Sequence, residues 1–239
     1  LFGSSDNWLT ISKLFAQHFR VILVDQRNHG FSPHTTSHTY QEMAEDLKAF
    51  LDDLNIVNPV LLGHSMGGKT VMKFVTAFPQ YPVDKMIIVD IAPRSYDPHH
   101  QKYITALQAI DLQKIQTRQE ADNIMAAFVP NLGERQFLLK NLSRDADGNF
   151  FWRMNLPVLI RDIENIGEGL TRHDHSEVEA LFVKGGRSDY YIKREDAAFI
   201  HEVFPHSKIK TIENAGHWVQ AEQPEIFYDL VMGFLRQGN

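Results

Sequence analysis

The chain has 239 residues, a formal net charge of −6, 43% hydrophobic and 23% charged residues, and no cysteine. This length accommodates one large domain, or one core domain with an insertion. The lack of cysteine excludes disulfides, thiolate catalysis and cysteine zinc sites, and an acidic balance without a basic run argues against a nucleic-acid-binding surface.

Strand-like and helix-like patterns alternate along the chain, which is typical of an α/β fold with a mostly parallel, doubly wound sheet and helices on both faces. Before residue 94 the predicted elements are a strand at Val21–Asp25, a helix at Tyr40–Leu54, a strand ending near Gly63, a helix reaching Ala77, and a strand at Met86–Asp90. After residue 172 they are a strand from Glu179, a helix at Lys193–Val203, a strand around Ile209, and a helix at Pro224–Arg236.

The alternation is interrupted between Arg94 and about Thr171, where we find helical periodicities and no convincing strand. The predicted helices there are Tyr103–Ile115, Thr117–Phe128, Glu134–Leu142 and Leu156–Ile163. A helical block of this size between strands is typical of a lid over an active site. We therefore expect an α/β core built from residues 1–93 and 172–239, with a helical lid insertion at residues 94–171.

The segment Gly63-x-Ser65-x-Gly67 lies between an apolar strand and a helix. A serine nucleophile has to stand exposed on such a strand-to-helix turn, which is tight enough to need small residues on either side. The helix N-terminus behind it offers backbone N–H groups to a developing oxyanion. We expect Ser65 to be a catalytic nucleophile.

A serine hydroxyl is unreactive at neutral pH, so it needs a base, and the base needs an orienting carboxylate. His217 lies on a loop between a strand and the helix that Pro224 opens, a place where an imidazole can be held without being fully buried. Two carboxylates compete for the third position. Asp90 closes an apolar strand, Asp189 lies in the loop after another strand, and both loops should open at the C-terminal edge of the sheet. We prefer Asp90, because a carboxylate at the end of a buried strand is costly without a partner.

Six segments spread over the chain carry a family resemblance: Leu1–Trp8, Val24–Pro33, Gly63–Lys69, Val89–Pro93, Arg135–Leu142 and Asn214–Val219. With them the chain resembles the α/β-hydrolases over essentially its whole length, and more closely the small bacterial acyl esterases and thioesterases and their mitochondrial relatives in that fold. The resemblance implies an eight-stranded sheet, Ser65 as nucleophile and His217 as base. It favours Asp90 as the acid of this subgroup, while Asp189 matches the acid position usual in the fold.

In the family, a strand ending in His-Gly precedes the segment that matches Leu1, and the residue after that His-Gly donates one oxyanion N–H. This sequence begins at Leu1, so we expect the N-terminal strands of the fold to be missing from it. The resemblance then implies Leu1 as one oxyanion-hole donor, with Phe2 as the close alternative, and Met66 as the other.

Together these residues predict an enzyme, a carboxylic ester hydrolase that cleaves esters or acyl thioesters through an acyl-enzyme intermediate. We expect no metal or organic cofactor, a small acyl ester or thioester as the substrate, no nucleic-acid partner, and a monomer or homodimer. No apolar run approaches the roughly 18 residues of a membrane span and no secretory signal is seen, so we expect a cytoplasmic protein. Two alternatives stay open: other chemistry on the same triad, such as carbon–carbon bond hydrolysis, a lyase or a perhydrolase step, and a weakly hydrolytic receptor-like protein.

Overall fold

The computed structural model describes residues 1–97, 99–188 and 190–237. In this part of the chain the strands are β1 (Val60–His64), β2 (Lys85–Val89), β3 (Leu142–Arg144), β4 (Phe150–Trp152), β5 (Glu179–Gly185) and β6 (Ser207–Ile212). The central sheet has the order β1-β2-β5-β6, and all three strand pairs in it are parallel. The predicted α/β fold with a parallel central sheet is therefore confirmed.

From residue 40 onward, and outside residues 94–171, the helices alternate with the strands as predicted, whereas the first helix was not predicted. In chain order they are α1 (Leu9–Phe15), α2 (Tyr40–Asp53), α3 (Met66–Ala77), α4 (Gln101–Gln108), α5 (Arg118–Ala126), α6 (Leu132–Leu139), α7 (Leu156–Arg161), α8 (Ile163–Ile166), α9 (Asp196–Val203), α10 (Val219–Glu222) and α11 (Pro224–Leu235).

Strand β2 shows why the sheet carries helices on both faces. All five of its residues are buried, as expected for an apolar strand in the middle of a parallel sheet. Successive side chains point to opposite faces. Met86 and Ile88 join the apolar cluster of α2, α3 and α9, whereas Ile87 and Val89 join the cluster of α1 and α11. The doubly wound arrangement follows from this pattern.

Between β2 and β5 the chain forms a separate layer, which we call the insert (residues 94–171). It contains α4 to α8 and has its own apolar cluster, to which Phe2 also contributes. The expectation that this segment holds no strand was wrong, because β3 and β4 pair as an antiparallel hairpin. The turn between them is closed by Asp145, whose side chain accepts backbone N–H groups, and by Gly148 at φ 85°.

The expected strand at Val21–Asp25 was also wrong, since this segment makes no strand ladder with any described residue. Ile22 and Val24 are exposed there. A strand exists only through hydrogen bonds to a neighbour, so an apolar alternating segment alone does not create one. Among the described helices, none is long and apolar enough to cross a bilayer.

Candidate active site

Ser65 occupies a sharp turn between β1 and α3. Its backbone angles are φ 53° and ψ −118°, a region that residues with a Cβ rarely adopt. The turn is held from both sides, because the Ser65 N–H donates to the Val89 carbonyl and the Ser65 carbonyl accepts from the Lys69 N–H, each at 3.0 Å. A strained, over-determined backbone of this kind is typical of a nucleophile at the end of a strand.

Two of the neighbouring glycines are required by the close approach of other atoms. A Cβ on Gly63 would lie 2.3 Å from the Gly67 carbonyl oxygen, and one on Gly68 would lie 2.7 Å from a methyl carbon of Ile91. A Cβ on Gly67 would meet nothing closer than the side-chain nitrogen of Gln26 at 3.5 Å. The sequence motif therefore has a steric basis at Gly63 and Gly68.

The carboxylate of Asp90 lies directly after β2 and is fully buried. Its Oδ1 accepts the Gly185 N–H at 3.0 Å, and its Oδ2 accepts both the Ser188 hydroxyl and Nδ1 of His217, the latter at 2.8 Å. Asp90 itself has φ 48°, and its N–H donates to the Val183 carbonyl at 2.8 Å. Three donors thus converge on one buried carboxylate.

His217 is held by aromatic rings as well as by Asp90. The ring of Tyr191 stacks on the imidazole with centroids 3.8 Å apart and an 18° angle between planes. On another side the His64 ring lies 4.5 Å away, and its Nε2 donates to the His217 carbonyl at 2.8 Å. The ring of Trp218 meets the imidazole edge-on at 5.6 Å. The imidazole is therefore fixed in orientation, and since a carboxylate only accepts, its Nδ1 carries the proton.

Burial shapes the electrostatics of the pair. Desolvation raises the pKa of Asp90 above its usual value, although the hydrogen bonds from Ser188 and Gly185 oppose that rise. Desolvation lowers the pKa of His217, and it also lowers the pKa of His64. A neutral His217 with its proton on Nδ1 keeps Nε2 as a free acceptor, which is the form that a general base needs.

Ser65 opens into a small cavity of about 20 Å³, which has room for about one water molecule. Leu1 and Met66 line it beside Ser65. Phe2 instead packs in the apolar cluster of the insert with φ 57°, and its carbonyl accepts from Asn141 at 2.7 Å. The remaining walls are largely apolar or aromatic and include Tyr40, Ile91, Tyr96, Ile166 and Tyr191.

Among the predicted site residues, Asp90 and His217 are in direct contact, and the backbone of Ser65 bonds to Val89, the neighbour of Asp90. Asp189, the other candidate acid, lies outside the described residues. In the rest of the chain, no group of three or more histidine, aspartate or glutamate side chains is arranged to hold a metal ion.

Sequence reasoning missed Ser188, Tyr191 and the role of His64. Ser188 stands directly before Asp189 in a loop that the sequence had marked for its carboxylate alone. Tyr191 contacts His217 from 26 residues away in the chain, and only the Tyr190–Tyr191 pair itself could have drawn attention to it. His64 adjoins Ser65 in the motif, but nothing local indicates that it reaches the His217 backbone.

Comparison with known proteins identifies the family of the chain. The model of the α/β hydrolase fold family matches residues 1–224. The mouse (Mus musculus) protein named sn-1-specific diacylglycerol lipase ABHD11 is 38% identical over 98% of this chain and 78% of its own length. Esterase YbfF of Escherichia coli strain K12 is 37% identical over 98% of this chain and 90% of its own.

Among solved structures, one described as a marine microorganism esterase superposes with a TM-score of 0.94 at 43% identity, covering 98% of this chain and 92% of that one. These similarities confirm the predicted resemblance and the predicted class, an esterase-type hydrolase. The chain belongs to the α/β hydrolase fold family.

Proposed function

We propose that the protein hydrolyses carboxylic esters of acyl chains, with Ser65 as nucleophile, His217 as general base and Asp90 as the orienting acid. The observation that supports this most directly is the 2.8 Å contact from His217 Nδ1 to the buried Asp90 carboxylate. It lies at the same sheet edge as the strained Ser65 turn, because β1 and β2 pair in register up to His64 and Val89. A buried carboxylate, an oriented imidazole and a half-buried serine are the three components of a Ser-His-Asp triad.

In the proposed reaction the Ser65 hydroxyl attacks the ester carbonyl while Nε2 of His217 takes its proton. The Asp90 carboxylate stabilises the resulting imidazolium and holds the tautomer that leaves Nε2 free. His217 then gives this proton to the departing alkoxide, and an acyl-enzyme ester on Ser65 remains. A water molecule repeats the two steps, with His217 as base and then acid, and releases the carboxylic acid.

Two backbone N–H groups are assigned to the oxyanion. Met66 is the first residue of α3, and the first N–H groups of a helix have no partner within it. Leu1 lines the cavity together with Ser65, whereas Phe2 packs into the apolar cluster of the insert, which favours Leu1 over Phe2 as the second donor. Each such donor contributes on the order of 3 kcal/mol to lowering the barrier.

The cavity beside Ser65 suits the acyl group of a substrate, because its apolar and aromatic side chains outnumber the charged ones. The present cavity holds about one water molecule, so binding an acyl chain requires side chains or the insert to move outward. We therefore assign the insert the part of a lid, with residues 94–171 as its extent.

Hydrolysis of p-nitrophenyl esters with acyl chains of two to sixteen carbons tests the proposal, together with covalent labelling by a fluorophosphonate probe. We expect turnover and single-site labelling in the wild type, and loss of both in Ser65→Ala. Ser12→Ala, a serine of α1 outside the cavity, is the matched control and should behave as wild type. Absence of both turnover and labelling in the folded protein would refute the proposal.

The leaving group is a separate question that the same assay can answer. The mouse relative is named a diacylglycerol lipase and the Escherichia coli relative an esterase, so an sn-1,2-diacylglycerol and an acyl-coenzyme A thioester are the informative additional substrates. We expect oxygen esters to be preferred. Labelling at Ser65 without turnover of any of these esters would move the proposal to other chemistry on the same three residues.

A further inference from the structure

The insert leaves and rejoins the core through two short segments, residues 93–97 and 166–170, which we call the neck. They pair through two backbone hydrogen bonds of 2.8 Å, from the Tyr96 N–H to the Gly167 carbonyl and from the Leu170 N–H to the Pro93 carbonyl. The pairing is close, since a Cβ on Gly169 would lie 2.3 Å from a backbone nitrogen across the neck. Four neck residues line the cavity beside Ser65: Tyr96, Asp97, Ile166 and Gly167. The neck is therefore also a wall of the proposed acyl site.

Lys69 of α3 connects this wall to the helix that begins at the nucleophile. Its side chain is 3% exposed, which is unusual for a lysine. Its ammonium donates to the Arg94 carbonyl at 2.6 Å and to the Glu168 carbonyl at 2.5 Å, so that it bonds to both segments of the neck at once. Its backbone N–H bonds to the carbonyl of Ser65.

The surroundings of the ammonium explain how a buried cation is accommodated. Its centre lies 4.9 Å from the ring centroid of Tyr96 and 5.9 Å from that of Tyr40, within the range of cation–π attraction. The guanidinium of Arg94 lowers its pKa and the carboxylate of Glu168 raises it, but burial is the largest influence and brings the pKa to about 7. A lysine held in this way acts through its hydrogen bonds to the two carbonyls of the neck.

We propose that Lys69 is a positioning residue that ties both segments of the neck to α3 and thereby sets the width of the acyl cavity. The inference depends on the proposed function only for the identity of the bound group. Removing the side-chain amine frees the neck from α3, so the wall formed by Tyr96 and Ile166 moves more readily and longer acyl chains are admitted. The chemistry at Ser65 itself is left in place.

The first test compares Lys69→Met with Lys73→Met, which removes the same charge one turn further along α3. In Lys69→Met we expect amide hydrogen exchange at Tyr96 and Leu170 to rise at least about tenfold relative to the β2 amides, because the clamp on the neck is gone. We also expect kcat/KM for long esters relative to short ones to rise at least about threefold, while Lys73→Met keeps the wild-type ratio. A folded Lys69→Met protein with wild-type neck exchange and wild-type chain-length preference would overturn the proposal. The exchange measurement needs no activity, so it separates this proposal from that of ester hydrolysis.

A second test uses the wild type and is independent of whether the variant folds. Opening the neck exposes Lys69 to water, where its pKa returns from about 7 to the ordinary 10.5. The open state therefore takes up a proton above pH 7, so opening becomes rarer as pH rises, by up to about tenfold per pH unit. After correction for intrinsic rates, protection of Tyr96 and Leu170 relative to β2 should increase between pH 7 and 9. Neck amides that exchange as fast as unprotected amides across this range would contradict the clamp.

Discussion

The substitution Asp90→Asn tests the proposed site most sharply, because it changes charge and hydrogen bonding while keeping shape. The carboxylate now accepts from the Gly185 N–H on Oδ1, and from the Ser188 hydroxyl and His217 Nδ1 on Oδ2. In the amide, Oδ1 can still accept from Gly185, so the nitrogen has to face Ser188 and His217. A hydroxyl can turn its lone pair towards that nitrogen, but an imidazole can accept there only by moving its proton to Nε2.

That tautomer cannot take a proton from Ser65, which determines the size of the expected loss. The corresponding change in the Ser-His-Asp proteases lowers kcat by about 10⁴. Here we expect a fall in kcat of about 10³ to 10⁴, equivalent to about 4 to 5.5 kcal/mol in the barrier, with KM changing little. The assay is steady-state hydrolysis of the best p-nitrophenyl ester, with thermal unfolding to verify that the variant is folded.

The matched comparison is Asp189→Asn, for which we expect kcat within about threefold of wild type, since in the proposed site the acid is Asp90, in contact with His217. Ser188→Ala should cost about tenfold, because it removes one charge-assisted bond from Asp90 and leaves the tautomer unchanged. If Asp90→Asn kept more than a tenth of wild-type kcat while Asp189→Asn lost activity, the assignment of Asp90 would be wrong.

Three further predictions concern the pH profile, the turn and the stacked ring. Burial raises the pKa of Asp90 from its ordinary 3.8 and lowers that of His217 from its ordinary 6.5. The pair should therefore take up one proton between pH 3.8 and 6.5, and kcat/KM should fall as the pH drops through this window. A fall in kcat/KM that begins above pH 7 would contradict this. Gly63→Ala places a Cβ 2.3 Å from a carbonyl oxygen and should cost at least about 3 kcal/mol in denaturant unfolding, whereas Gly67→Ala should cost less than about 1. Tyr191→Leu removes the ring stacked at 3.8 Å on His217 and should lower kcat about two- to tenfold, with Tyr191→Phe close to wild type; equal effects of the two changes would assign the role to the hydroxyl.

Elements with both a period and a stop signal could be predicted well from the sequence. The helix expected at Tyr40–Leu54 is found at Tyr40–Asp53, and its start is fixed by Thr39, whose side chain accepts the Glu42 N–H. The last helix begins as predicted at Pro224, where a proline costs no hydrogen bond. Local chemistry determines these boundaries, so the sequence contains them.

The β3–β4 hairpin could not be found by periodicity, because each of its strands has only three residues. An alternating pattern of apolar and polar residues needs about four to eight residues to be recognised. A signal was present in the turn, where an aspartate and Gly148 precede the aromatic segment Phe150–Trp152. Such a turn between apolar residues indicates a hairpin even when the strands are short. Weighing turn chemistry above strand length would have corrected the prediction.

The candidate acid illustrates a different limit. Asp90 and Asp189 both follow strands that end at the same edge of the sheet, so position along the chain cannot separate them. The observation that supports Asp90 is contact through space: it lies within hydrogen-bonding distance of His217, 127 residues away, and of Ser188 in another loop. Pairings between distant loops depend on the assembled sheet, and no local pattern encodes them.

Lys69 shows the same limit, because nothing in the local sequence indicates that it is buried. In a helix whose buried positions are mostly apolar, a lysine is expected to be a solvated side chain. Its two acceptors are backbone carbonyls 25 and 99 residues further along the chain, and carbonyls have no residue identity that a sequence pattern could reveal. The glycine at position 63 could be predicted, because the clash that requires it is with the Gly67 carbonyl, within the same turn. The clamp could not, because its partners meet only once the insert has packed on α3, and for the same reason its loss should act on the insert and spare the turn.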